Sequence, residues 1–160
     1  MKIKIFTVGG TIDKVYFDQK SEYQVGEPGV TQILREANIT VDYEWESIMR
    51  KDSLDLTDDD RQIITDKIRS DSNKHVLVTH GTDTMIETAK SLQQISGKVV
   101  VLTGAMSPAR FKESDANFNI GFAMAGVQLL PPGVYIAMNG RIFNPDKVVK
   151  NRDLNRFEEV

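Results

Sequence analysis

The 160-residue chain has no cysteine and only two histidines. The first absence excludes disulfides, thiolate zinc sites and cysteine nucleophiles together. The histidines, His75 and His80, stand five apart on an extended segment without cysteine partners, which makes a poor metal-ligand set. Positive charge is also in short supply. Twenty Lys and Arg face 23 Asp and Glu, a formal charge of −3, so no global field draws nucleic acid or an anionic membrane. The one local exception is the tail, where Arg141, Lys147, Lys150, Arg152 and Arg156 gather. Asp146, Asp153, Glu158 and Glu159 lie among them, and the segment reads as solvated surface, not as a nucleic-acid interface.

Long hydrophobic runs are missing too. No stretch approaches the roughly 20 apolar residues needed to span a bilayer, so no membrane partner is expected. The start of the chain has a short apolar run before its glycines and lacks the longer apolar region and cleavage site of a secretory signal, so the expected compartment is the cytoplasm. Repeats and low-complexity segments are absent.

What is present is ordinary globular material, 40% hydrophobic and 27% charged, with Leu, Ile, Val and Phe spread along the whole length. Five strand-like segments, KIKIFTV, VDYEWESI, HVLVTH, KVVVLTG and GVYIAMNG, alternate with helical stretches. HVLVTH and KVVVLTG are nearly continuous β-branched and leucine runs, as expected where helices cover both faces of a parallel sheet. The predicted class is an open three-layer α/β/α sandwich with a mainly parallel sheet, in one domain over residues 1–160. Thr57 before Asp58, Asp59 and Asp60 predicts a capped helix start, the aspartates serving the helix dipole and not a metal. Thr84 with Glu87 has capping-box spacing. The segment from Ile12 to Pro28 has no pattern and is long enough to be a lid or binding loop.

In open parallel sheets, ligands bind beyond the carboxyl ends of the strands. The residues that follow the five strands are Gly9-Gly10-Thr11, Ser53, Gly81-Thr82-Asp83, Gly104-Ala105-Met106-Ser107 and Asn139. VGGTIDK has neither the Walker spacing nor the three spaced glycines and helix of a dinucleotide loop, so phosphate is not its expected ligand. With no cysteine and no convincing Ser-His pair, the nucleophile candidates are Thr11 and Thr82. Either hydroxyl needs activation, and Lys150, with apolar neighbours on one side, is a candidate base. His80 is read as a structural hydrogen-bonding residue. Taken singly, Thr82 and Asp83 could cap a helix, Lys150 could be a surface lysine and Tyr23 a packing aromatic.

The conjunction changes that balance. VGGTID, VTHGTDTMIETA, VVLTGAMSPAR, DANFNIGFAMA and MNGRIFNPDKVVKN, in this order, resemble the N-terminal domain of the bacterial-type L-asparaginase and glutaminase-asparaginase family. The resemblance covers nearly the whole chain, and HGTDTMIETA is its most specific part. It implies a flavodoxin-like domain and hydrolysis of the side-chain amide of asparagine, with glutamine or a related small amide as alternatives, to acid and ammonia without a cofactor. By position it makes Thr11 the primary nucleophile on a lid loop that also carries Tyr23. Thr82, Asp83 and Lys150 become a second catalytic group in which the lysine helps deprotonate the threonine. Ser53 would hold the substrate α-carboxylate and Asp83 its α-ammonium, while backbone at Gly81 and Ala105 lines the amide end.

Val8, Asp13 and Leu54 depart from the family pattern, which has threonine, alanine and a polar residue at those positions. The family's second domain would follow where this chain stops, and a neighbouring subunit's second domain normally completes the pocket. The expectation is therefore a natural short protein working as a homo-oligomer that supplies the missing wall. A non-catalytic aspartate- or asparagine-binding module and an ammonia-generating amidotransferase-like subunit are the alternatives.

Overall fold

A computed structural model describes residues 1–16, 23–25 and 28–160. The central sheet is built on β1 (Lys2–Gly9), β4 (Asp42–Lys51), β5 (His75–Thr79), β6 (Val99–Thr103) and β7 (Gly133–Met138), with β8 (Arg141–Phe143) at one edge. Its order is β4-β1-β5-β6-β7-β8, all parallel except the antiparallel β7–β8 pair. The five sequence-predicted strands are the five parallel ones. They lie in the order 2-1-3-4-5, the flavodoxin-like winding, whose direction reverses between β1 and β5.

The apolar runs explain the layers. From Ile3 to Gly9, β1 is buried at every position, and so are β6 throughout and β5 after His75. Alternate residues go to opposite faces. Ile3, Ile5, Leu77, Val99 and Val101 pack with α1 (Gly29–Glu36) and α4 (Ala116–Leu129). Phe6, Val8, Val76, Val78, Val100 and Leu102 pack with α2 (Asp58–Ser70) and α3 (Met85–Leu92). Each fully buried aliphatic side chain contributes about 1.5–3 kcal/mol relative to exposure.

The start of α2 is the predicted capping box: Thr57 Oγ1 accepts from the Asp60 amide at 3.2 Å, and Asp60 Oδ2 from the Thr57 amide at 3.0 Å. Thr84 departs from expectation. It occupies the N-cap of α3 but makes no side-chain cap, because its hydroxyl donates to the Ser53 carbonyl at 2.7 Å. The long segment after Ile12 is also not patternless. It contains a 3₁₀ turn (Thr11–Asp13) and the antiparallel strands β2 (Lys14–Tyr16) and β3 (Tyr23–Val25), too short to register as periodicity. A second antiparallel hairpin, β9 (Val148–Asn151) with β10 (Arg156–Glu159), follows β8.

Two of the clustered basic residues of the tail pair with acidic neighbours. Arg141 pairs with Glu159 at 2.7 Å and Arg156 with Glu158 at 2.6 Å. Among the described residues no helix is long and apolar enough to cross a membrane.

Candidate active site

The reversal point of the sheet puts the loops after β1 and β5 side by side, with the loop after β4 against them. Gly10 has φ 94°, outside the comfortable range of other residues. A Cβ placed on it would lie 2.3 Å from the Gly81 Cα, so the two backbones touch. A Cβ on Gly81 would in turn lie 2.6 Å from Ser53 Cβ and Oγ. This close approach brings together the loops on which Thr11 and Thr82 stand, each one residue past its glycine, with buried Ser53 against Gly81.

Lys150 closes the cluster from the far end of the chain. Its Nζ donates to Thr82 Oγ1 at 2.8 Å and to Asp83 Oδ1 at 2.8 Å. Thr82 is buried, and the Lys150 and Asp83 side chains are 12% and 30% exposed. The hairpin that carries Lys150 is anchored by apolar packing: Val148 and Phe157 are buried, and the Phe157 ring meets Phe143 at 6.5 Å between centroids. Asn139, which follows β7 in the left-handed region at φ 53°, accepts the Phe157 amide on Oδ1 at 2.8 Å. Its place at a strand end was legible in the sequence, but its task of seating the hairpin was not. Arg152, on the turn of this hairpin, reaches to 3.8 Å from Asp83 Oδ1.

Thr11 opens the 3₁₀ turn and is half-buried. Beyond it, Asp13 is 3% exposed and Oδ1 accepts the Gly29 amide at 2.7 Å, at the start of α1. The carboxylate thus ties the two ends of the 14–28 excursion together and complements the positive end of a helix. The Ala109 amide donates to the Ile12 carbonyl at 3.0 Å. Lys14 pairs with Asp52 at 2.6 Å, linking β2 to the Ser53 loop. Burial works against the Asp52 charge, but the Lys14 ammonium and the Leu54 amide outweigh it and hold the carboxyl below its ordinary pKa. Tyr23 lies in β3 by its backbone, and its side chain falls outside the described residues. Of the departures from the family pattern, Val8 is a core residue against α2, and Leu54 is 63% exposed.

Two further residues position the site. His80 is fully buried, with Nδ1 2.7 Å from the Gly81 carbonyl and Nε2 2.8 Å from Thr88 Oγ1. A carbonyl only accepts, so Nδ1 carries the proton and Nε2 accepts from the threonine. Burial pushes the imidazole pKa down to about 4 against the opposing pull of the carbonyl, and Arg61 lowers it further. The ring is neutral near pH 7 and acts as a fixed brace under Gly81, the structural role the sequence predicts.

Asp115 was not singled out, although it opens the DANFNIGF stretch. Its carboxylate accepts the amides of Met106 and Ser107 at 2.9–3.1 Å, and Asn119 Nδ2 donates to it and to the Gly104 carbonyl, both at 2.9 Å. The Asp-x-x-x-Asn spacing on one helix face was the available signal. Together they fix the loop that presents Ala105, which is 1% exposed.

A hydroxyl, an amine and a carboxylate joined by hydrogen bonds, on a floor made by touching glycines, form a nucleophile-and-base arrangement. Among the described residues no group of three or more His, Cys, Asp or Glu is placed to hold a metal. Fold and cluster together define an α/β/α sandwich with a lysine-linked threonine at its switch point. Residues 2–158 match the family described as "Asparaginase, N-terminal", and the chain belongs to that family. It is 31% identical to L-asparaginase 2 of Escherichia coli K12 over 99% of this chain and 49% of that protein. With the glutaminase-asparaginase of Acinetobacter glutaminasificans it shares 34% identity over 79% of this chain and 40% of the relative. The solved L-asparaginase of Thermococcus kodakarensis superposes with a TM-score of 0.86 at 27% identity, over 100% of this chain and 51% of that one. The chain spans about half the length of these relatives.

Proposed function

We propose that the protein hydrolyses the side-chain amide of L-asparagine, or of glutamine or a related small amide, to the acid and ammonia through a threonine nucleophile. The observation that carries this reading is the Lys150 amine held 2.8 Å from both Thr82 Oγ1 and Asp83 Oδ1, beside the Gly10–Gly81 contact. In this mechanism Thr11 attacks the amide carbon to give a tetrahedral oxyanion, and main-chain donors near Gly81 and Ala105 stabilise it. Thr82 and Lys150 manage the protons. As Thr11 attacks, its proton passes through the Thr82 hydroxyl to Lys150 acting as the base, and the protonated lysine returns one to the departing ammonia. Water then releases the acyl-threonine. Ser53 and Asp83 bind the substrate's charged groups. The chemistry needs no cofactor.

Residues 1–160 form the proposed functional domain, acting in the cytoplasm as a homo-oligomer whose neighbouring copy walls the crevice. Purified protein incubated with asparagine, glutamine and small amides should release ammonia, and Thr11→Ala and Thr82→Ala should each abolish most of it. Release no greater than that of Thr82→Ala would end the hydrolase reading. Saturable asparagine binding without turnover would replace it with the binding-module reading.

A further inference from the structure

We infer that Asp13 is a positioning residue for Thr11, its carboxylate mooring the turn that carries the nucleophile to the first amide of α1. The inference rests on the hydrolase reading and deepens it. The need arises in the helix. Its N-cap, Pro28, makes no side-chain cap and its first turn holds no acidic residue, so α1 has no carboxylate of its own for its positive end. Asp13, sixteen residues upstream of Gly29, supplies one, with Oδ1 2.7 Å from the Gly29 amide. A charged acceptor on a helix N-terminus, buried to 3% exposure, makes one of the stronger hydrogen bonds open to a protein. The family pattern has alanine at this position, and a methyl group accepts no such bond.

The mooring matters because the turn meets a third element. The Asp13 amide donates to the Gly10 carbonyl at 3.1 Å, closing the turn around Thr11, and the Ile12 carbonyl accepts the Ala109 amide at 3.0 Å. Ala109 lies on the loop that presents Ala105. A Cβ on Gly29 would lie 2.7 Å from Ala109 Cβ and 3.2 Å from the Ile12 carbonyl oxygen, so helix, turn and loop meet without spare room. Val30, Ile33 and Leu34 fix α1 in the same buried cluster as Ile12 and Ala105. The nucleophile and the amide end of the proposed site are thereby referred to one helix. Without the Asp13 carboxylate one side of this junction is released, and an attacking hydroxyl displaced by about 1 Å loses on the order of 10²-fold in rate.

The test follows ammonia release from L-asparagine, with urea unfolding to correct for the folded fraction. Asp13→Ala should lower kcat about 10–100-fold with KM within about twofold of wild type, because Ser53 and Asp83 stand on other loops. Asp13→Asn keeps an oxygen acceptor for the Gly29 amide and should recover kcat to within about threefold of wild type. A loss below about tenfold in folded Asp13→Ala, or failure of Asp13→Asn to recover the rate, overturns the inference and leaves the hydrolase reading standing. If Asp13→Ala does not fold, Asp13→Glu decides, since its acid reaches one methylene further. A kcat at least about tenfold down in that folded variant supports the mooring, and a smaller loss overturns it. Absence of ammonia from the wild type ends the hydrolase reading, and hydrogen exchange at the Gly29 amide then judges the mooring alone. Protection that falls in Asp13→Ala and returns in Asp13→Asn supports it, and any other pattern overturns it.

Discussion

Two hairpins reach the same crevice from opposite parts of the chain, and different forces hold them there. The β9–β10 hairpin delivers Lys150 from strands that bury Val148 and Phe157 at 5% and 3% exposure, so the lysine is seated by the hydrophobic core. The β2–β3 hairpin follows Thr11 and is tied at its base by polar contacts, Lys14 to Asp52 and Asp13 to the Gly29 amide. Apolar burial is not screened by salt, whereas a partly exposed ion pair is. The difference separates a hairpin seated by the core from one whose base is held by polar contacts.

The largest effects should come from the core-anchored side. Lys150→Met should lower ammonia release on the order of 10²–10⁴-fold while leaving the urea unfolding midpoint nearly unchanged, since it removes a proton-transfer group and no core packing. Phe157→Ala should reduce unfolding free energy by about 3–5 kcal/mol and activity with it, measured by urea titration alongside the ammonia assay. Loss of stability without loss of activity would show that Lys150 does not depend on this anchor.

Acid probes the brace under Gly81. His80 has a folded pKa of about 4, below its unfolded value near 6.5, so the unfolded state binds more protons between the two. Stability should therefore be complete above the upper value and fall by roughly 3 kcal/mol as pH drops through that window. Carboxylates held low by neighbouring cations, Glu46 with Lys67 and Asp60 with Lys51, add their losses only in the more acidic range. Urea titrations at several pH values should show the His80→Gln variant less stable at neutral pH but flatter across the window.

Asn139→Ala should cost about 1–3 kcal/mol through the lost acceptor for the Phe157 amide, and the left-handed backbone at that position adds to the loss. The smallest effect belongs to the polar latch. Lys14→Met should change stability by about 1 kcal/mol or less. Its signature should be kinetic, an altered KM whose salt dependence is weaker than that of the wild type. A stability loss as large as that of Phe157→Ala would erase the contrast between the hairpins.

The strands and layers were legible because five apolar runs had the composition of fully buried parallel strands. Thr82, Asp83 and Lys150 were legible as a set through the motifs around them, and the structure brings them within hydrogen-bonding distance. The hairpins were not, because strands of three and four residues carry too few alternations to announce themselves. Thr84 misled for a related reason. Its spacing to Glu87 is local, but the partner it chose, the Ser53 carbonyl, is 31 residues away. Asp115 escaped notice, and the task of Asn139 did too, because each serves a backbone group whose need arises only when distant loops meet.

Composition and pattern alone determined the α/β/α class, the absence of cysteine chemistry and the placement of hydroxyls at strand ends, since these depend on hydrophobic period and residue type. Tertiary structure decided which of those hydroxyls meets an amine, which carboxylate joins them, and which hairpin is held by the core. Those outcomes rest on distances between groups far apart in the chain. Only the touching of Gly10 and Gly81, and the long return of Lys150 to Thr82, sets them.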